Sequence, residues 1–312
     1  MPWVRLLAAA ALVVLPLSLA AQDVPEAQLP KIDKPLPPAP DRTPRASVML
    51  ADYRYDDLLW ENDRTAHRIY GHALEAYEPP SGSGIDSWGK NVAWPFMDRQ
   101  LKSGDQHGFH GEGLDYYNVG TSRGAGGLGI WLDHKLWTSR NFRRHRILRN
   151  GPDAADFEVD YAPWPVDVGR RVWETRRFTL PMGTHFTRMV STIRSDKPGL
   201  LVVGIGIARK PTGGEGELTV DKARGLLSWW GPEERGHGRM AIALRFDPAM
   251  LVDVVKDADN HLVLLRVTPG KPFVYYSGSA WNLGNGGFRT RADWDRHVAA
   301  ERVTFVAPPA AR

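Results

Sequence analysis

The chain contains no cysteine. That absence excludes disulfides, thiolate nucleophiles and cysteine zinc sites together, so the fold must rest on its core alone. Long apolar runs are almost missing as well. Leu6 to Leu17 is the one clear case, and it falls short of the ~20 residues that a membrane-spanning helix needs. Runs of like charge are also lacking, because the formal net charge of +4 is dispersed over 312 residues. Without a basic face or stripe, nucleic acid is not an expected partner. A mild positive excess does suit an acidic one.

What is present begins as an export signal. Met1 to Arg5 gives a charged start, Leu6 to Leu17 the apolar stretch, and Ser18-Leu19-Ala20 a small-x-small cleavage site, so residues 1–20 read as a signal peptide. The expected location is secreted, and periplasmic in a bacterial host. Residues 21–45 carry Pro25, Pro30, Pro35, Pro37, Pro38, Pro40 and Pro44 and read as an extended, disordered leader. Residues 46–306 are expected to form a single domain, with 307–312 as a tail.

Strand signals dominate that domain. Arg239 to Phe246 alternates, with Met240, Ile242, Leu244 and Phe246 on one face, as a half-buried strand does. Leu200 to Ala208 is a continuous apolar run that reads as a strand buried on both sides. Helix signal is sparse: Thr290 and Asp293 form a capping box ahead of Trp294 to Ala300, and Asp133-His134-Lys135 reads as a hairpin turn. Many short strands with one or two brief helices imply an all-β, two-sheet antiparallel sandwich.

Chemistry concentrates between His107 and Arg123. Two histidines, His107 and His110, two carboxylates, Glu112 and Asp115, and two phenols, Tyr116 and Tyr117, are crowded among glycines and followed by Arg123. Glycine costs roughly 1 kcal/mol relative to alanine in a helix, so the segment reads as a loop. One reading is proton abstraction beside a uronate carboxylate, which requires a base, an acid for the leaving oxygen and a clamp for the developing charge. His110 or His107 would be the base, Tyr116 or Tyr117 the acid, and Arg123 the clamp. Asp86, Trp88 and Lys90 would form a neighbouring wall, with Asp115 beside them.

Other readings compete. His107, His110 and Glu112 could wrap calcium, manganese or zinc from a loop, whereas the glycines exclude a helical zinc motif. Glu112 with Asp115, Asp86 or Asp63 could serve as the acid and base of a glycoside hydrolase. A glycan-binding or mutarotase-like protein without bond cleavage would use its tryptophans as sugar platforms. Trp229-Trp230 is the notable pair, because adjacent strand residues point to opposite faces; Trp230 is therefore a candidate for a groove.

Trp60-Glu61-Asn62-Asp63-Arg64 resembles the entry strand of galactose-mutarotase-like sandwiches. A wider resemblance runs through Ser83 to Trp88, His107 to Gly120, Ser122-Arg123-Gly124, Gly127 to Trp131, Trp281-Asn282 and Asp293-Trp294. Taken in that order, these motifs resemble the bacterial family catalogued as domain of unknown function 4861. The resemblance implies a secreted, mutarotase-like β-sandwich that accompanies the degradation of acidic polysaccharides. Its expected partner is an acidic oligosaccharide, and the expected reaction is that of a polysaccharide lyase or oligosaccharide dehydratase.

Overall fold

The computed structural model describes residues 28–32, 34–234 and 236–307; the expected signal peptide lies outside them. Three antiparallel sheets are stacked as two layers. The first sheet takes its strands in chain order: β1 (Ser47–Ala51), β2 (Asp57–Glu61), β3 (Ala66–Ile69), β4 (Ile85–Lys90) and the short β5 (Gly113–Leu114), with helix α1 (Met97–Lys102) between the last two in sequence. The chain continues through β6 (Ala125–Leu132), β7 (Lys135–Trp137), β8 (Arg144–Asn150), β9 (Ala154–Val166), β10 (Arg170–Pro181), β11 (Phe186–Ser195) and β12 (Leu201–Ala208). It ends with β13 (Glu217–Asp221), β14 (Leu226–Trp230), β15 (Met240–Phe246), β16 (Leu251–Lys256), β17 (Asn260–Val267), β18 (Phe273–Trp281) and helix α2 (Arg291–Ala300).

An eight-stranded sheet, β13-β14-β15-β18-β11-β10-β9-β8, forms one layer. The other layer is the β1–β5 sheet set beside a second five-stranded sheet, β16-β17-β12-β6-β7, with a parallel bridge between Ile85 and Gly124 at the join. Gly124 is required there. Its φ is +59°, and a Cβ would collide with the Ile85 carbonyl, so only glycine lets the two sheets meet.

One apolar core fills the space between the layers, drawing on Trp60 and Ile85, on Leu128 and Ile205, and on Phe157, Trp229 and Ile242 from the facing sheet. The chain is thus an all-β antiparallel sandwich with two short α-helices, and one layer is divided in two. Alternation explains the division of labour on β15. Met240, Ile242, Leu244 and Phe246 enter the core as expected, but the opposite face is not solvated. Small Ala241 and Ala243 leave room for α2, whose Trp294 and Val298 pack on them. Burying side chains of this size contributes roughly 1.5–3 kcal/mol each.

The local signals near the helix and the hairpin hold. Thr290 Oγ1 accepts from the Asp293 amide at 3.1 Å and starts α2. Asp133 and His134 have φ of +52° and +59° and turn β6 into β7, the left-handed pair that a two-residue hairpin uses. Trp229 and Trp230 do point to opposite faces, but each finds its own core. Trp229 lies between the layers and Trp230 beneath α2, so Trp230 lines no groove.

Candidate functional site

The outer face of the β1–β5 sheet carries the site. Period-two alternation sends Leu58, Trp60, Ile69 and Ile85 inward and therefore turns Asp57, Arg68, Tyr70, Asp86 and Trp88 outward. Near the β5 end of this face, α1 and the chain through residue 115 fold over it. Trp88 packs there with Phe96, Met97 and Leu101. Beside them the outward polar groups close around one guanidinium.

Arg68 is that guanidinium, and it is almost fully buried. Its Nε and Nη2 donate to Asp86 Oδ2 at 3.0 and 2.7 Å, and Nη2 also donates to Asp115 Oδ2 at 2.9 Å. Nη1 lies 3.8 Å from Asp57 Oδ2 and donates to Gln106 Oε1 at 3.4 Å. The ring faces of Tyr70 and Trp88 each stand 5.2 Å from the guanidinium carbon. Gln106 Nε2 donates a further bond to Asp115 Oδ2 at 3.0 Å, and Trp88 Nε1 one to Asp86 Oδ2 at 3.0 Å.

Three carboxyl groups thus share one cation away from water. Charge balance then falls on protonation. Burial pushes Asp57 up to about 7 against the opposing pull of Arg68. Burial, joined by the negative charge of Asp86, holds Asp115 well above the usual carboxylate range. The Tyr70 hydroxyl is raised for the same two reasons in the same order. Tyr70 therefore keeps its hydroxyl proton at neutral pH, and Asp115 holds a proton more strongly than a free carboxyl does, both beside Asp86.

These groups open on a cavity of about 570 Å³, whose lining includes Arg54, Arg68, Tyr70, Asp86, His107, Asp115 and Tyr116. That volume lies within the range of ligand pockets. His107 stands at its mouth with its side chain 70% exposed. Its Nδ1 lies 2.7 Å from the Asp115 main-chain oxygen, which can only accept, so a neutral ring carries its proton on Nδ1 and its lone pair on Nε2. Gln106 Nε2 is 3.2 Å from that second nitrogen. Arg54 Nη2 donates to Glu78 Oε1 at 2.8 Å, while Nη1 has no partner among the described residues.

The structure brings together only part of the residue set expected from sequence. His107, Asp86, Asp115, Tyr116 and Tyr117 line the cavity, and Trp88 backs it through Asp86. The Tyr116 hydroxyl is nevertheless buried beside Trp281, with its ring 5.6 Å from His237. Tyr117 is turned inward and donates to the Gly124 carbonyl at 3.0 Å. His110 is buried, its Nδ1 and Nε2 lying 2.5 and 2.8 Å from the Lys34 and Asp105 carbonyls. Neither nitrogen is left for a substrate.

Glu112 receives Arg99 Nη2 at 2.8 Å and Trp94 Nε1 at 3.2 Å, which ties α1 to the loop. Lys90 Nζ donates to Glu61 Oε2 at 2.6 Å and to the Trp94 carbonyl at 2.7 Å. Glu61 Oε1 in turn accepts from the Phe96 and Met97 amides at the start of α1. Lys90 is thus a packing element, and burial lowers its pKa despite Glu61. Arg123 is buried and donates to Ser83 Oγ and the Thr121 carbonyl, both at 3.1 Å. Burial first, and Arg176 second, lower it to about 10. Asp63 instead receives the Gly183 amide at 2.7 Å. His107, His110 and Glu112 are held by separate partners, and no three His, Asp or Glu side chains among the described residues are grouped to hold a metal ion.

Sequence reasoning missed Arg54, Asp57, Arg68 and Tyr70. The signal that would have found Arg68 is its place in β3, between His67 and Ile69, in a strand buried along its whole length. A charged residue there needs a partner. The pH dependence of stability reports on the cluster directly. The folded-state value of Asp57 lies above its unfolded value of 3.8, so its contribution is fully present below about 3.8 and is lost as pH rises to about 7. Asp57→Asn is therefore expected to flatten the fall in stability over that window. Denaturant unfolding at several pH values checks this, and an unchanged slope would contradict the buried-acid account.

Fold and cleft together define a β-sandwich with a polar, acid-lined pocket on the outer face of one sheet. The chain belongs to the family catalogued as domain of unknown function 4861 (DUF4861), whose sequence pattern matches residues 26–310. It is 30% identical over 262 residues to "Uncharacterized protein P7" of Formosa agariphila, an alignment covering 78% of this chain. The chain spans about 64% of the length of that relative. Among solved structures it is similar to the galactosidase domain of an alpha-galactosidase-sucrose kinase, with a TM-score of 0.31 and 9% identity, over 75% of this chain and 42% of that one. No helix among the described residues is long and apolar enough to cross a membrane.

Proposed function

We propose that this chain is a secreted, periplasmic enzyme that binds a uronic-acid-containing oligosaccharide in the Arg68 cleft and acts on it by β-elimination, as a lyase or a dehydratase. The observation that carries the reading is the convergence of a base, an acid and a cation on one cavity: His107, Tyr70 and Arg54. The Arg54 guanidinium, whose buried Nη1 has no partner among the described residues, turns to take the uronate carboxylate, in the role that the sequence assigned to Arg123. His107 Nε2, exposed at the mouth and freed as substrate displaces the Gln106 amide that lies 3.2 Å from it, removes the proton beside that carboxylate. Tyr70 gives its hydroxyl proton to the departing oxygen as the carbon–oxygen bond breaks and the double bond forms. Arg68, Asp86 and Asp115 hold the Tyr70 side of the cleft in place, and burial with the charge of Asp86 keeps its phenol protonated against the opposing pull of Arg68.

The test is incubation with a panel of uronate oligosaccharides of different composition and length, followed by ultraviolet absorbance and product mass. Elimination gives a conjugated double bond and a rise in absorbance, and mass then separates loss of water from cleavage. Binding without any chemical change across the panel would overturn the reading.

A second reading has its own observation. Asp86 and Asp115 accept from the same Arg68 Nη2 at 2.7 and 2.9 Å, and burial with the charge of Asp86 holds the Asp115 carboxyl above the usual range, so the two would serve as an acid and base pair of the kind that glycoside hydrolysis uses. They replace Glu112, which Arg99 occupies. New reducing ends with no absorbance would select this reaction.

A further inference from the structure

We infer that Tyr77 and Tyr55 form an aromatic platform at the rim of the cleft, a subsite for the pyranose ring next to the sugar residue held at Arg68. The inference rests on the reading of the cleft as an oligosaccharide site and extends it to substrate length. The two rings are stacked, with centroids 4.4 Å apart and planes 23° from parallel. Tyr77 is 66% exposed. Tyr55 covers one side of its ring, and the stack is open to solvent.

A single exposed aromatic residue is ordinary on a protein surface. Three observations set this one apart. The first is position. Arg54 precedes Tyr55, Glu78 follows Tyr77, and these two neighbours line the cavity and are joined to each other at 2.8 Å. The platform is therefore bolted to the cavity wall by an ion pair.

The second is backbone conformation. Tyr55 and Asp56 have φ of +55° and +64°, and two successive non-glycine residues in the left-handed region persist only where the surroundings enforce them. Enforcement is visible at Gly71. A side chain there would collide with the carbonyls of Tyr55 and Asp56, and its amide donates to Asp57 Oδ1 at 3.1 Å. The turn that presents Tyr55 is thus packed against the same strand system that presents Arg68.

The third is the character of the rest of the cleft. Much of its lining is charged or hydrogen-bonding and suits hydroxyls and carboxylates, and the Tyr70 ring is taken up against the Arg68 guanidinium, whereas the apolar C–H face of a pyranose stacks well on an open, flat aromatic surface. Tyr77 on Tyr55 provides that surface, held rigid before the ligand arrives. A rigid anchor loses little freedom on binding.

The test is calorimetric titration of the His107→Ala protein, which slows turnover but keeps the cleft, with the same oligosaccharide panel at two and at four sugar residues. The longer ligands are expected to bind more tightly than the shorter ones. Tyr77→Ala should remove about tenfold of affinity for the longer ligands, the ratio that about 1.4 kcal/mol of lost stacking gives, and leave the shorter ones unchanged. Tyr77→Phe should keep the full affinity, because the ring remains and only the hydroxyl is lost. A gain with length that survives Tyr77→Ala would overturn the platform while leaving the cleft as the sugar site. No affinity for any member of the panel at either length would overturn both.

Discussion

Replacing Arg68 with methionine is expected to destabilise the protein by about 3–5 kcal/mol at pH 7, the cost of breaking a buried ion pair by removing one partner. Methionine fills much of the same volume between Tyr70 and Trp88, so the loss is electrostatic rather than a cavity. Without the guanidinium, Asp57, Asp86 and Asp115 face one another with only the weaker pull of Arg54 on Asp57 and Asp115. Screening by solvent is weak here, because the Arg68 side chain is 4% exposed and those of Asp57 and Asp86 are 0% and 1%. The pH dependence has a definite sign. Removing Arg68 takes away a charge that lowers the values of Asp57 and Asp115, so the folded state of the variant holds its protons more strongly. Its stability should therefore recover as pH falls from 7 towards 5. Denaturant midpoints at the two pH values check this, and equal midpoints for variant and parent at pH 7 would contradict the account of a shared cation.

The second large effect is on turnover. His107→Ala is expected to reduce the rate of elimination by about 10²–10⁴-fold, the range that a positioned general base contributes. Stability should change little, because the ring stands at the cavity mouth and its main anchor is one bond to a main-chain oxygen. The distinction matters, since a loss of activity accompanied by unfolding would say nothing about a base. His107→Gln is the sharper variant. It keeps a polar side chain near Gln106 and Asp115 but cannot take a proton, so it should be as slow as His107→Ala.

Much of the fold was legible because its causes are local. Alternation in β15, the Thr290 cap and the left-handed turn at Asp133 and His134 each depend on a few neighbouring residues. The second face of β15 was not legible. Ala241 and Ala243 read equally well as exposed or as small residues beneath a helix, and only the placement of α2 decides. The site divides along the same line. The segment from His107 to Tyr117 does hold site residues, yet half of its polar groups fasten the loop instead. His110 binds the leader and Asp105, Glu112 binds α1, and Tyr117 reaches back to Gly124. Density of polar residues marks where a loop needs partners as well as where chemistry happens. Arg68 is 18 residues from Asp86 and 47 from Asp115, and no local pattern shows that these three meet.

The measurement that bears most directly on the central claim compares His107→Ala with His110→Ala, both confirmed to be folded, in the absorbance assay on a uronate oligosaccharide turned over by the parent protein. The account predicts that His107→Ala loses the rise in absorbance and that His110→Ala keeps it, because only His107 faces the Arg68 cleft. Loss of the rise in His110→Ala with full activity in His107→Ala would contradict it and move the chemistry out of this cavity.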